Sequence, residues 1–222
     1  MDENKKTIIE KRINKTGENL RKNNMEFYYA KTKDDVCPIV ESLIKEGDVI
    51  TNGGTVTMKE CGLSELLNST KYKYLDRSKM TPEEVAELYI KAFSADVYIS
   101  SSNAITEDGV LYNVDGNSNR IAAIAFGPKS VIIIAGYNKI VKDLNEAEIR
   151  VKREAAPPNC VRLDCATYCK EKGECVSLNN ADRQIYDGCS GDGRICCNYL
   201  ISAHQRHKGR IKVIIVDEEL GY

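Results

Sequence analysis

Tryptophan is absent from the sequence, phenylalanine occurs three times and histidine only twice. Both histidines, His204 and His207, stand in a basic run with Gln205, Arg206, Lys208 and Arg210. So exposed a context assembles no Ser–His–Asp or Cys–His nucleophilic set. A solvated basic segment is the simpler reading of the pair, and a Cys/His zinc site is the other. Long apolar runs are missing as well, none approaching the roughly 18 residues that suggest a membrane span. The first fifteen residues are too charged for a secretory signal. Nor does either sign of charge dominate: the formal net charge is -1 with acids and bases interspersed, which leaves no electrostatic footprint for nucleic acid or anionic lipid. The expected compartment is the cytoplasm, where thiols stay reduced.

What the chain has instead is cysteine. Seven of its nine cysteines fall in residues 160–197, at Cys160, Cys165, Cys169, Cys175, Cys189, Cys196 and Cys197. In a secreted domain this would read as a disulfide framework with one thiol left over. In a reducing compartment the same density points to zinc or an iron–sulfur centre, and a metal is the preferred reading. Cys37 and Cys61 lie far away and are expected to be small buried hydrophobes.

At 222 residues, with 42% apolar and 29% charged residues, the chain is long enough to bury a core without covalent help. A charged surface helix is predicted over residues 5–23 and a second helix through Val36, Ile39, Val40, Leu43 and Ile44, capped by Gly47. A buried strand at 48–51 runs into Asn52-Gly53-Gly54-Thr55, with a helix from 55 to 67. Thr81-Pro82-Glu83-Glu84 is a capping box that opens a helix with Val85, Leu88, Tyr89 and Phe93 facing inward. A strand follows at 96–100. Glu107-Asp108-Gly109 joins 104–106 to 110–112 as a hairpin. An alanine-rich helix from Asn119 stops near Gly127-Pro128, and residues 130–135 form a central strand. A helix over 143–156 is expected to end at Pro157-Pro158, and a last strand covers 210–216. The fold class is α/β: a single domain over residues 1–222 with a mostly parallel sheet flanked by helices, a small β-hairpin, and a Cys-rich metal-binding insertion at 159–200 before the last strand.

Two polar regions are candidate sites. The turn Asn52-Gly53-Gly54-Thr55 follows a strand and precedes a helix, so bare N–H groups there can face a phosphate or carboxylate, aided by Asn52, Thr55 and Thr57. It is neither a Walker A loop nor a dinucleotide fingerprint, and a tight turn without a ligand explains it as well. The second region holds Asn103, Glu107, Asp108, Asn113, Asp115, Asn117, Asn119 and Arg120, much of it compatible with turn chemistry. Arg120 at a helix start is disfavoured by the dipole unless it meets an acid or an anionic ligand. Glu107 is the general-base candidate by type and position.

These blocks, with residues 126–129, 136–141 and 216–222, resemble the lactate-utilisation (LUD) domain family over almost the whole chain. The resemblance implies a fold similar to sugar-phosphate isomerases and CoA transferases, with the turn at Asn52, Gly53, Gly54 and Thr55 lining a ligand pocket. It places Glu107 and Asp108 near the reacting centre and adds Asn138 and Lys139 to the binding residues. It also implies a role in oxidation of lactate and related organic acids, beside iron–sulfur oxidoreductase partners. The branch with a C-terminal cysteine motif matches at Cys169, Gly173, Cys175 and Arg194-Ile195-Cys196, with the spacing C-x5-C-x13-C-x6-C. That implies a metal set of Cys169, Cys175, Cys189 and Cys196, with Cys165 or Cys197 as alternatives to Cys189.

The resulting expectation is a LUD-type protein of lactate or organic-acid metabolism. It would bind a small organic-acid or phosphorylated metabolite at the Gly-rich turn and hold a 4Fe-4S cluster, or zinc, through the cysteines. Two alternatives stand beside it: an isomerase- or transferase-like enzyme with a structural zinc held by four thiolates, and a non-catalytic redox or ligand sensor. Neither nucleic acid nor membrane is an expected partner; self-association is left open.

Overall fold

The computed structural model of the chain describes residues 2–222, the side chain of Lys79 aside. Helix α1 (Glu3–Lys22) starts where Asp2 accepts hydrogen bonds from the N–H groups of Asn4 and Lys5, and it buries Ile9, Ile13 and Leu20. Strand β1 (Glu26–Ala30), absent from the sequence reading, follows, then α2 (Val36–Leu43) and β2 (Val49–Asn52). The helix expected over 55–67 is two short ones, α3 (Val56–Glu60) and α4 (Leu63–Leu67), broken where Gly62 takes φ +69°. A short strand β3 (Lys73–Tyr74) leads to α5 (Pro82–Lys91), whose capping box forms as predicted; it buries Leu88 but leaves Phe93, just beyond it, exposed. Then come β4 (Val97–Ser100), the hairpin strands β5 (Ala104–Thr106) and β6 (Leu111–Asp115), α6 (Asn119–Ala125), β7 (Ser130–Gly136) and β8 (Ile140–Val141).

The helix beginning at α7 (Leu144–Arg150) does not stop at the prolines. It widens into a π-helical turn over Val151–Ala155 and continues as α8 (Ala156–Arg162). Pro157 and Pro158 sit in the first turn of α8, where a missing N–H costs little, and the widened turn before them absorbs the change of register. Helix α9 (Tyr168–Lys172), strand β9 (Asn198–Ser202) and strand β10 (Ile211–Val216) complete the chain.

Six parallel strands form the main sheet in the order β1–β10–β7–β4–β2–β3. Alternation along its central strands supplies both faces. Val131, Ile133, Val213 and Ile215 pack with Ile13 and Leu20 of α1, whereas Ile132, Ile134, Ile214 and Val216 pack with Val40 of α2 and Leu63 of α4. Coverage on both sides is why these strands read as continuous apolar runs. A smaller mixed sheet, β8–β5–β6–β9, has its own core of Tyr112, Val114, Val141, Ala147 and Val151. Most of the cysteine segment runs between α8 and β9, so it leads into the small sheet before β10 rejoins the large one.

Candidate functional site

Parallel strands present their carboxyl ends along one edge of a sheet, and ligands of open α/β folds collect there. Here the ends of three adjacent strands meet at one side chain. Lys139, just after β7, donates from Nζ to Ser101 Oγ, just after β4, at 2.8 Å, and to Thr57 Oγ1, beyond β2, at 3.1 Å. Lys139 is 2% exposed and lines a cavity of about 680 Å³. Burial, then the charges of Arg150 and Arg120, pull its pKa from 10.5 down to about 7. Of the expected binding residues, Gly54, Thr55, Asn103, Asp115, Asn119 and Arg120 line the same cavity.

Arg120 is less available than its position suggests. All five of its guanidinium N–H groups go to protein acceptors: Asp115, Asn113 and Asn103 side chains and the carbonyls of Ser101 and Val114, at 2.6–3.1 Å. Asp115 also accepts from the Arg120 and Ile121 N–H groups, capping α6. The acid that offsets a cation at this helix start is therefore built into the chain. Asn52 and Asn138 do similar supporting work. Asn52 accepts from the Tyr74 hydroxyl at 2.8 Å, and Asn138 Oδ1 accepts from the Leu220 N–H at 3.2 Å. Gly53 lies where a Cβ would come 2.9 Å from the Tyr98 hydroxyl and 3.0 Å from Arg120.

Glu107 and Asp108 are not brought to this cavity. They form the tip of the β5–β6 hairpin and face α1: Glu107 accepts from Lys15 at 2.8 Å and Arg12 at 3.0 Å, and Asp108 accepts from the Thr106 hydroxyl. Lys15 and Arg12 hold the Glu107 carboxyl below its ordinary range, which removes the proton affinity a base needs near neutral pH. The turn composition of 107–109 was correctly a hairpin signal; the acids in it anchor a helix.

Cations outnumber acids around the cavity. Arg77, Arg162 and Arg194 join Arg120, against Asp115 and Asp192. The Arg77 guanidinium stands over Gly54, where an added Cβ would come 2.7 Å from Nη2. The Tyr222 hydroxyl, also at the cavity, is buried without a hydrogen-bond partner among the described residues. Sequence reasoning missed Arg77, Ser101 and Tyr222, which come from separate loops with no shared motif. Helix α3 is a single turn, so attraction for an anion comes from these side chains more than from a macrodipole.

A second, smaller cavity of about 20 Å³ lies on the small sheet. Cys169, Cys175, Cys189 and Cys196 all line it, together with Tyr112, Tyr168 and Tyr199. Burial raises the Cys196 thiol while Arg194 opposes the shift. Arg194 pins the surrounding loop by donating to the carbonyls of Cys196, Cys189 and Tyr186. Cys160 packs 3.6 Å, sulfur to sulfur, from Cys169, while Cys165 and Cys197 line the larger cavity. The thiols are not drawn into metal-ligand contact: no group of three or more His, Cys, Asp or Glu side chains is gathered closely enough to hold an ion among the described residues. The donor chemistry still fits a thiophilic metal, with four soft ligands around one apolar space. His204 stands elsewhere, beside Asn24 at 2.9 Å. Among the described residues no helix is long and apolar enough to cross a membrane.

Comparison with solved structures gives a DUF162 family protein from Deinococcus radiodurans, 13% identical, with a TM-score of 0.50 over 95% of this chain and 98% of that one. Two partial likenesses are to eIF2B beta and eIF2B delta from Chaetomium thermophilum, 16% and 18% identical, with TM-scores of 0.38 and 0.35. Each covers 52% of this chain, and 45% and 50% of its own. No curated protein matches. The family model of the LUD domain matches residues 13–216, and the chain belongs to the LUD domain family.

Proposed function

We propose that this chain serves lactate or related organic-acid metabolism in the cytoplasm by binding a small anionic metabolite at the carboxyl edge of its main sheet. The observation that carries this reading is the cavity of about 680 Å³, whose cations Arg77, Arg162 and Arg194 face only Asp192 once Asp115 is taken up by Arg120. A carboxylate or phosphate supplies the charge and the acceptors that such a wall lacks. Thr55 and the unpartnered Tyr222 hydroxyl add neutral bonds that discriminate among anions. Calorimetric titration with lactate, glycolate and inorganic phosphate tests this. At least one is expected to bind, and Arg77→Gln is expected to weaken it about tenfold, the loss of one charge-assisted hydrogen bond. If none of the three binds, the reading is wrong.

The cysteine cavity is the second half of the proposal. Cys169, Cys175, Cys189 and Cys196 would hold an iron–sulfur centre, which when bound supplies one-electron transfer for oxidation of the organic acid with an iron–sulfur partner protein. Tyr112 and Tyr199, with ring centroids 6.4 Å apart, line the cavity beside the cysteines, as does the Lys152–Glu148 pair. Zinc is the competing occupant, since four thiolates are equally its structural ligand set. Anaerobic purification with metal analysis decides between them. A brown protein with iron and sulfide supports the first; a colourless protein with one zinc sinks it and supports a structural role.

A further inference from the structure

Lys139 has an environment that anion binding alone does not explain. Another deeply buried lysine, Lys152, meets the Glu148 carboxylate at 2.6 Å. Lys139 meets two hydroxyls instead, and its strongest charged neighbours are the cations Arg150 and Arg120, opposed weakly by Glu60. An ammonium there is both desolvated and repelled, so near neutral pH a large share of Lys139 is the neutral amine. That amine has two N–H groups, matched by Ser101 and Thr57, and a lone pair spent on neither.

We propose that the Lys139 amine condenses with the carbonyl group of a small compound that also carries a carboxylate or phosphate, forming an imine inside the cavity. The Nζ lone pair forms a bond to the carbonyl carbon, and the C=O π pair moves to oxygen. One proton passes from nitrogen to that oxygen, with the Ser101 and Thr57 hydroxyls in place to relay it. The new hydroxyl takes up a second proton from solvent and leaves as water, while the nitrogen pair closes to C=N as a protonated imine. No electrons are gained or lost, so no oxidant is needed. The charge of the product selects the substrate class: among cations, a protonated imine is stable only if its carbon skeleton brings a negative group.

Desolvation beside other cations is an established way to make a lysine nucleophilic. With a pKa of about 7, Lys139 at neutral pH has a neutral fraction on the order of a thousandfold above that of an exposed lysine.

This inference rests on the anion-binding reading, and its test separates the two. The protein is incubated with pyruvate, glyoxylate or dihydroxyacetone phosphate, reduced with borohydride to fix any imine as a secondary amine, and mapped by peptide mass. Binding of the same compounds is measured in parallel by calorimetry. The expected result is fixation at Lys139 at least about tenfold above any surface lysine, suppressed by inorganic phosphate. Lys152 is the internal control for burial without a free amine. Lys139→Arg should lose the label, and anion binding is read on the wild-type protein. Because that variant also changes a packed side chain, the wild-type rate of fixation is followed against pH and should rise through about pH 7. Compounds that bind without fixation, or label spread over surface lysines and undiminished in Lys139→Arg, overturn the imine and leave the anion site standing. Failure of all three, and of phosphate, to bind would overturn both.

Discussion

Arg120 and Lys139 are neighbours in charge and opposites in design. Arg120 is buried with every N–H bonded and Asp115 2.8 Å away. Removing it leaves the Asn113 amide oxygen without its donor and the buried Asp115 carboxylate without its counter-charge, held only by backbone N–H groups, so Arg120→Met should destabilise the protein by about 3–5 kcal/mol in denaturant unfolding. Arg120→Lys should recover little of that, because three point donors do not replace a planar fork. Lys139 has the contrary sign. Its folded pKa lies below its unfolded one, so between about pH 7 and 10 the unfolded chain holds the extra proton and stability rises with pH. Below about pH 7 both states are protonated and the full penalty applies. Lys139→Met should therefore be more stable at pH 7, by up to about 4 kcal/mol, and should lose the slope between pH 7 and 10. An unchanged slope would mean that Lys139 is not the group whose pKa folding depresses.

Among elements, the cysteine segment depends on what it binds. It has little regular structure: a five-residue α9, a 3-10 turn at Val176–Asn179 and loops up to β9. Few apolar contacts support such a segment, so metal binding and local folding should be linked. Cys169→Ser and Cys175→Ser are expected to lose metal and to raise hydrogen exchange over residues 165–197. Cys37→Ser, whose thiol only donates to the Cys61 carbonyl at 3.2 Å, should do neither. Full metal retention in the first two would remove them from the ligand set. The same segment shows where sequence reading stops. Apolar runs at β7 and β10 and the Thr81–Glu84 capping box were legible because their signals are local. Strand β9 was not, since its pairing with β6 is set by residues more than 80 positions away. Cys169, Cys175, Cys189 and Cys196, the set that the resemblance implies, line one cavity. The partners that commit Arg120 to the fold, and the burial that neutralises Lys139, come from strands the sequence does not place side by side.

Across the whole molecule, the two cavities share a wall. On α8 and the turn before it, Ala155 lines the larger cavity and Ala156 the smaller. In the loop approaching β9, Ile195 and Cys197 line the larger cavity while Cys196, between them, lines the smaller. Arg194 lines the larger cavity and also donates to the carbonyls of Cys189 and Cys196, so a single side chain touches both. An anion that draws on the Arg194 guanidinium competes with those carbonyl bonds and shifts the loop that presents two thiols. Binding at one site should then change affinity at the other, and by linkage the factor must be the same in both directions. The expected measurement is removal of metal by a chelator with and without saturating anion, with at least about a fivefold difference in rate. The metal-free protein should show the matching change in anion affinity by calorimetry. Arg194→Gln should abolish that difference while leaving Arg77-dependent binding in place. Equal chelation rates with and without anion would show that the shared wall is rigid and that the two cavities act independently.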